Sequence, residues 1–197
     1  DIVFYNEKYY QLQEGKETLQ ALAPGQSVEY NIESREHNLL GNSFQVDSTD
    51  SDQLWSFSST KFSDNTYIMA WSSENQVSST SGYDVYFQRF NNTNNAKIGT
   101  ETLVNTNTAL ENWYPIVRAF SDDSFVVVFT KGTHSYPTYN SDLYFQFYKK
   151  DATKNGNEVL AVPSTTNRFE LQDVKVFDDD TFIVVYNSNE GNSQNKH

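Results

Sequence analysis

FSDDSFVVVFTK, residues 120–131, occurs three times with substitutions: it stands as FSDNTYIMAWSS at 62–73 and as FDDDTFIVVYNS at 177–188. Each copy opens on an aromatic residue, passes through four polar residues and enters an apolar run. Ser121-Asp122-Asp123-Ser124, like Ser63-Asp64-Asn65-Thr66 and Asp178-Asp179-Asp180-Thr181, predicts a tight hairpin. Asp and Asn suit such corners because their side chains satisfy turn amides and tolerate positive φ. Within the run, Phe125, Val127 and Phe129 project to one face of an extended strand, and Val126 and Val128 to the other. A sheet with one wet face alternates apolar and polar residues, so a strand apolar on both faces predicts cover on both sides.

The same register extends well beyond the quoted stretch. Gly41 and Gly99, Val46 and Val104, Trp55 and Trp113, Phe62 and Phe120, and Trp71 and Phe129 are all 58 residues apart. YDVYFQRF (83–90) becomes SDLYFQFY (141–148), and the third copy of the quoted stretch follows the second by 57 residues. Matches at so many positions in one register define an internal repeat. Each unit of about 58 residues holds four strand-like runs, ending at Phe120 and covering Phe125–Phe129, Leu143–Tyr148 and Glu158–Val162 in the second copy.

The expected class is therefore all-β, built from four-stranded antiparallel meanders that stack like β-propeller blades. The expected division is a partial first blade with an irregular insertion at 1–50, complete repeats at 51–108 and 109–165, and a partial repeat with a polar tail at 166–197. With strands lettered A to D, the first segment supplies B to D and the last supplies A and B. Ile2-Val3-Phe4-Tyr5-Asn6 matches Ile183-Val184-Val185-Tyr186-Asn187. SVEYNI (27–32) alternates as a half-buried strand, and Leu12, Leu19 and Leu22 suggest a short helical turn. Closed propellers use about four to eight blades. The chain is thus expected to be an incomplete propeller, part of a longer array or completed by strand addition from another copy.

These motifs resemble the extracellular propeller-type repeats of bacterial surface proteins and ciliates, which run Asp-Gly-Gly-Phe-Val-Val-Val-Trp, then Tyr-Asp-Ile-Tyr and Gln-Arg-Phe, then an Asn-Thr segment. The matching residues here are Asp64 to Trp71, Tyr83-Asp84-Val85-Tyr86 with Gln88-Arg89-Phe90, and Val104-Asn105-Thr106. The likeness covers residues 41–188, without the glycine pair at the hairpins and with Phe129 and Tyr186 in place of Trp71. It implies an extracellular location and no common enzymatic activity.

The net charge of -12 and only 14 Lys and Arg argue against nucleic acid as a partner, because phosphate binding needs clustered cations. There is no Cys, hence no disulfide framework and no thiolate zinc site. No run approaches the ~18 apolar residues of a membrane span. A start at Asp1 without an apolar leader suits a processed secreted protein or an excised piece. Asn91-Asn92-Thr93 is a glycosylation sequon, with Asn91 as acceptor.

Candidate sites are few. His37, His134 and His197 lack metal-ligand spacing, and Arg35, Arg89, Arg118 and Arg168 share no repeat position. Asp122, Asp123, Asp179 and Asp180, with Asp178 beside them, offer oxygen ligands for Ca²⁺, although turn formation explains the same residues. The segments after Trp71 and Phe129 differ most between copies and are expected to be variable loops. There His134, Tyr136, Tyr139 and Asn140 form the candidate ligand loop, with rings to stack on a sugar and polar neighbours to bond it. No catalytic residues are assigned and no cofactor is expected. The leading expectation is a non-enzymatic extracellular structural or adhesive module whose partner is protein, including copies of itself head to tail. A carbohydrate-binding module and a glycosidase-like enzyme are the alternatives.

Overall fold

The structure is a computed structural model that describes residues 2–5, 8–12, 19–21, 44–48, 54–78, 81–135, 138–164 and 168–189. All regular structure among them is β. The chain divides into two compact units, Asp1–Asn42 and Ser43–His197.

The first unit holds an antiparallel sheet of β1 (Ile2–Tyr5), β2 (Lys8–Leu12) and β3 (Leu19–Ala21), in that order. The helical turn expected from Leu12, Leu19 and Leu22 is not formed at the first two. Leu12 ends β2, Leu19 begins β3, and the two are cross-strand partners. The ladder satisfies their backbone groups across the hairpin, which a lone helical turn cannot do. Leu22 and the expected strand at 27–32 lie outside the described residues.

In the second unit β4 (Leu54–Lys61), β5 (Thr66–Glu74), β6 (Tyr83–Asn91) and β7 (Lys97–Leu103) form a four-stranded meander in chain order. β8 (Glu111–Ala119), β9 (Phe125–Ser135), β10 (Thr138–Tyr148) and β11 (Val159–Val162) follow, each antiparallel to the one before. β12 (Arg168–Val176) and β13 (Phe182–Asn189) close the described chain as an antiparallel hairpin. A single parallel pair, Ser141 with Arg168, joins this hairpin to β10. The Ser141 hydroxyl reinforces it by accepting from Phe169 N at 2.9 Å and donating to Phe169 O at 3.1 Å. The sheets are antiparallel apart from that bridge, and they do not close on themselves.

Local chemistry explains the shared details of these sheets. Ser56 and Tyr114 take positive φ of 53° and 54°, where β4 and β8 bulge against their partners. β12 bulges at the matching place, between Leu171 and Asp173. A bulge raises local twist and bends the strand. On the opposite edge, buried Gln88 donates its amide to the carbonyls of Arg89 and Ile98, both at 2.9 Å. Gln146 does the same for Phe147 and Gly156.

The apolar run of β9 is covered on both faces. Phe125, Val127 and Phe129 join Phe62, Ile68, Ala70, Phe87 and Val117 in one cluster. Val126 and Val128 join Leu143, Leu171 and Val174 in a second, with Phe182 and Val184 against it. Each such side chain is fully buried in β9 and contributes about 1.5–3 kcal/mol by leaving water. The first strands lie side by side, and polar groups bridge them. Ser58 Oγ and Thr60 Oγ1 of β4 accept from the β8 amides of Val117 and Ala119. Arg118 donates on to Val174 O at 2.7 Å and to Asp173 of β12 at 2.9 Å.

Candidate interaction surface

The acidic hairpins are built twice over. Asp64, Asp122 and Asp179 each accept through Oδ1 from the amide and hydroxyl of the residue two further on, Thr66, Ser124 and Thr181. These bonds hold all three carboxyls below the usual range. The next residue in each turn, Asn65, Asp123 and Asp180, has φ of 62°, 65° and 61°. That left-handed geometry is one Asn and Asp tolerate better than other side chains.

From this position the carboxylate reaches the preceding sheet. Ser63 donates its amide at 2.8 Å and its hydroxyl at 2.6 Å to Asp123. Ser121 donates to Asp180 with the same two lengths. The two outer ends of this series differ chemically. Asn65 replaces the accepting Asp in the first hairpin, and Asp178 replaces the donating Ser in the last.

A third partner comes from the turn after the third strand. Lys150 Nζ lies 2.7 Å from Asp123 Oδ2, and Asn92 Nδ2 donates to Asn65 Oδ1 at 3.1 Å. Lys150 and the Ser63 donors together pull Asp123 down to about 2. Asp180 receives Ser121 alone among the described residues.

The hairpin of β12 and β13 leaves apolar side chains exposed, as β4 does at Trp55 and Phe57. Ile183 and Val185 are 49% and 48% exposed, whereas Val126 and Val128, which hold the matching positions in β9, are fully buried. Phe177 and Tyr186 are also exposed. β13 has β12 on one side and, among the described residues, no strand on the other.

The expected ligand loop is not a loop along most of its length. β9 and β10 pair without a break from Phe125 with Tyr148 to Ser135 with Thr138. His134 and Tyr139 are cross-strand partners in that ladder, and Tyr136 lies outside the described residues. The physical reason is Gly132: a Cβ there would sit 1.9 Å from Asn140 O, so its absence lets the strands stay together. Asn140 Oδ1 accepts from the Thr133 hydroxyl at 2.7 Å. It lines a cavity with Trp113, Tyr114, Arg168 and Phe169 of about 10 Å³, room for about one water and not for a sugar ring.

Other charged groups serve the joints between elements. Asp84 is fully buried and accepts from Asn105 at 2.7 Å and Asn112 at 3.3 Å. Burial pushes it up to about 6, against the pull of those amides. Lys131 and Glu158 form a buried ion pair, and Glu158 Oε2 also accepts from Thr106 N at 3.0 Å. Burial pushes Lys131 down to about 8. Glu101, which matches Glu158, accepts from Ser48 N at 2.8 Å. The Asn91 sequon sits on a turn, with Asn91 Oδ1 accepting from Thr93 N at 2.8 Å. Among the described residues no three His, Cys, Asp or Glu gather as a metal site. His37 and His197 lie outside them.

The Ser63–Asp123 and Ser121–Asp180 pairs escaped the sequence reading, although serine and aspartate recur at fixed hairpin positions. The roles of Asn105, Asn112 and Glu158 were not legible, because they exist only where separate elements meet. Comparison with protein-family models, with curated proteins and with solved structures found no match to this chain.

Proposed function

We propose that the chain is a non-enzymatic, extracellular β-propeller-type module whose work is protein–protein assembly. The observation that carries this reading is the outward face of the last hairpin. Ile183 and Val185 stand half exposed at positions whose counterparts, Val126 and Val128, are sealed by the next sheet. Exposed apolar surface of this kind marks interaction sites, and nearest-neighbour sheet packing is how repeat proteins extend. Head-to-tail assembly of copies is the form proposed. The extracellular location rests on the repeat resemblance and on the sequon at Asn91, which lies on a turn with Asn92 and Thr93 exposed. No helix among the described residues is long and apolar enough to cross a membrane.

Sedimentation velocity across a concentration series tests assembly. Self-association is expected, and it should be lost in the double variant Ile183→Lys, Val185→Lys with the melting temperature unchanged. A single monomeric species at every concentration overturns the reading.

A further inference from the structure

Asn155-Gly156 is the one Asn-Gly pair in the chain, and it stands between β10 and β11, outside any strand. Both residues are exposed, and Gly156 has a left-handed φ of 81°. A Cβ there would meet nothing within 4 Å, so solvent has open access to the bond between them. Neither the Asn155 carboxamide nor the Gly156 N–H has a hydrogen-bond partner among the described residues. Other turn asparagines are tied down: Asn91, Asn94 and Asn107 each accept through Oδ1 from the amide two residues on, at 2.8, 3.1 and 2.9 Å. Such a bond costs free energy to break before the carboxamide can move. At Asn155 that restraint is missing, and the groups on either side are anchored instead. Asn155 N donates to Phe147 O at 2.8 Å, and Gly156 O accepts from Gln146 Nε2 at 3.1 Å.

We propose that Asn155 is a site of spontaneous deamidation and isoaspartate formation, a covalent change that loosens the joint between β10 and β11. The Gly156 nitrogen gives up its proton and attacks Asn155 Cγ. The N–Cγ bond forms, the Cγ–Nδ2 bond breaks, and Nδ2 leaves as ammonia with the proton that Gly156 released. Glycine suits the attack because no side chain crowds its nitrogen. Water then opens the cyclic imide. Cleavage between the Gly156 nitrogen and Cγ leaves aspartate, whereas cleavage between that nitrogen and the main-chain carbonyl leaves isoaspartate, whose backbone runs through Cβ and Cγ and is one carbon longer. That extra carbon falls between the two anchors. Gln146 is fully buried and its Oε1 has no partner already, so losing the Gly156 carbonyl strips its side chain of a second bond. The same lengthening displaces Glu158, two residues on, from Lys131 and Thr106. At the matching place in the first meander stand Lys97-Ile98, with Ile98 O bonded to Gln88, and a lysine cannot cyclise in this way. The site stands whether or not the chain assembles.

The full chain is kept in mildly alkaline buffer, where the Gly156 amide ionises more readily, then digested at acidic pH and mapped by mass spectrometry over several weeks. A peptide of residues 150–159, KDATKNGNEV, is treated alongside. Aspartate and isoaspartate are expected at 155 at a rate within about tenfold of the free peptide, since a site open in the fold needs no unfolding to react. Asn155→Gln, whose longer side chain disfavours the ring, should lose the product and keep the wild-type melting profile. Hydrogen exchange should rise at the β11 amides in aged wild type and not in aged Asn155→Gln. No product at 155, or a rate more than about tenfold below that of the peptide, overturns the proposal by showing that the fold protects the site. Isoaspartate at 155 with unchanged exchange in β11 overturns it as well, because the joint would then absorb the longer backbone.

Discussion

Ser63 and Asp123, sixty residues apart in the chain, are joined by two hydrogen bonds of 2.8 and 2.6 Å that tie one hairpin to the next. Asp123 is nearly buried, while the equivalent bonds from Ser121 reach Asp180 in an exposed setting. Removing the hydroxyl in Ser63→Ala takes one of two donors from Asp123 Oδ2, leaving Lys150, and is expected to cost about 1–2 kcal/mol. Ser121→Ala, where water replaces the lost donor, should cost less than half as much. Urea unfolding of both variants checks the order, and equal losses would show that burial does not set the strength of the pair.

Gly132 is expected to tolerate no side chain. Because the Cβ of Ala would lie 1.9 Å from the Asn140 carbonyl oxygen, Gly132→Ala must prise β9 from β10. A loss of roughly 3 kcal/mol or more is expected, at the upper end of overpacking costs. Hydrogen exchange should rise first at amides 130–142. Unchanged protection there would mean that the strands stay paired around the added methyl group.

Asp84 should give stability an acid-side component. Its carboxyl titrates near 6 in the fold against an ordinary 3.8, so the native state holds the proton more tightly. The resulting penalty is absent below about pH 4, grows as pH rises towards 6 and stays constant above, at most about 3 kcal/mol. Asp84→Asn keeps an oxygen for Asn105 and Asn112 and removes the charge. It should raise stability at pH 7 and flatten the profile between pH 4 and 6 in thermal melts. A profile of wild-type shape in the variant would assign that slope to another group.

Asp123 acts with the opposite sign. Its carboxyl lies near 2 in the fold, so the stability it contributes is full above about pH 4 and is lost as pH falls towards 2. Lys150→Met removes the cation beside it and should shift the acid unfolding midpoint upward. An unchanged midpoint would place the acid sensitivity elsewhere.

The Lys131–Glu158 pair is expected to behave as a unit. Lys131→Met alone strands a buried carboxylate and should cost about 3–5 kcal/mol, whereas Lys131→Met with Glu158→Gln should recover most of it. Denaturant unfolding of the two variants makes the comparison. If the double variant is as unstable as the single one, the cost lies in packing against Tyr144, whose ring centre is 3.9 Å from Lys131 Nζ.

What could be read from the sequence was whatever has a short period. The opposed faces of Phe125 to Phe129 follow from alternation and stand in the two clusters as expected. The all-β class and the antiparallel order follow from the same signal. The extension of β9 to Ser135 could not be read, because Thr130, Lys131 and Gly132 look like loop residues until Asn140 and Ser141 lie against them. Leu12 and Leu19 misled for a related reason: two leucines seven apart fit a helix face as well as the two sides of a hairpin. The joints were least legible. Ser63 with Asp123, Arg118 with Asp173 and Glu158 with Thr106 are each more than fifty residues apart, and their meeting depends on how whole sheets stack.

The Ser-to-Asp link between hairpins has a consequence at the level of the gene. The middle hairpin donates forward through Ser121 and accepts backward through Asp123, so it carries both halves of a common fitting. Recombination that removes or duplicates a segment in the 58-residue register would leave an acceptor opposite every donor. The fitting itself would survive such an exchange, while Asn65 and Asp178 are the two positions that depart from it.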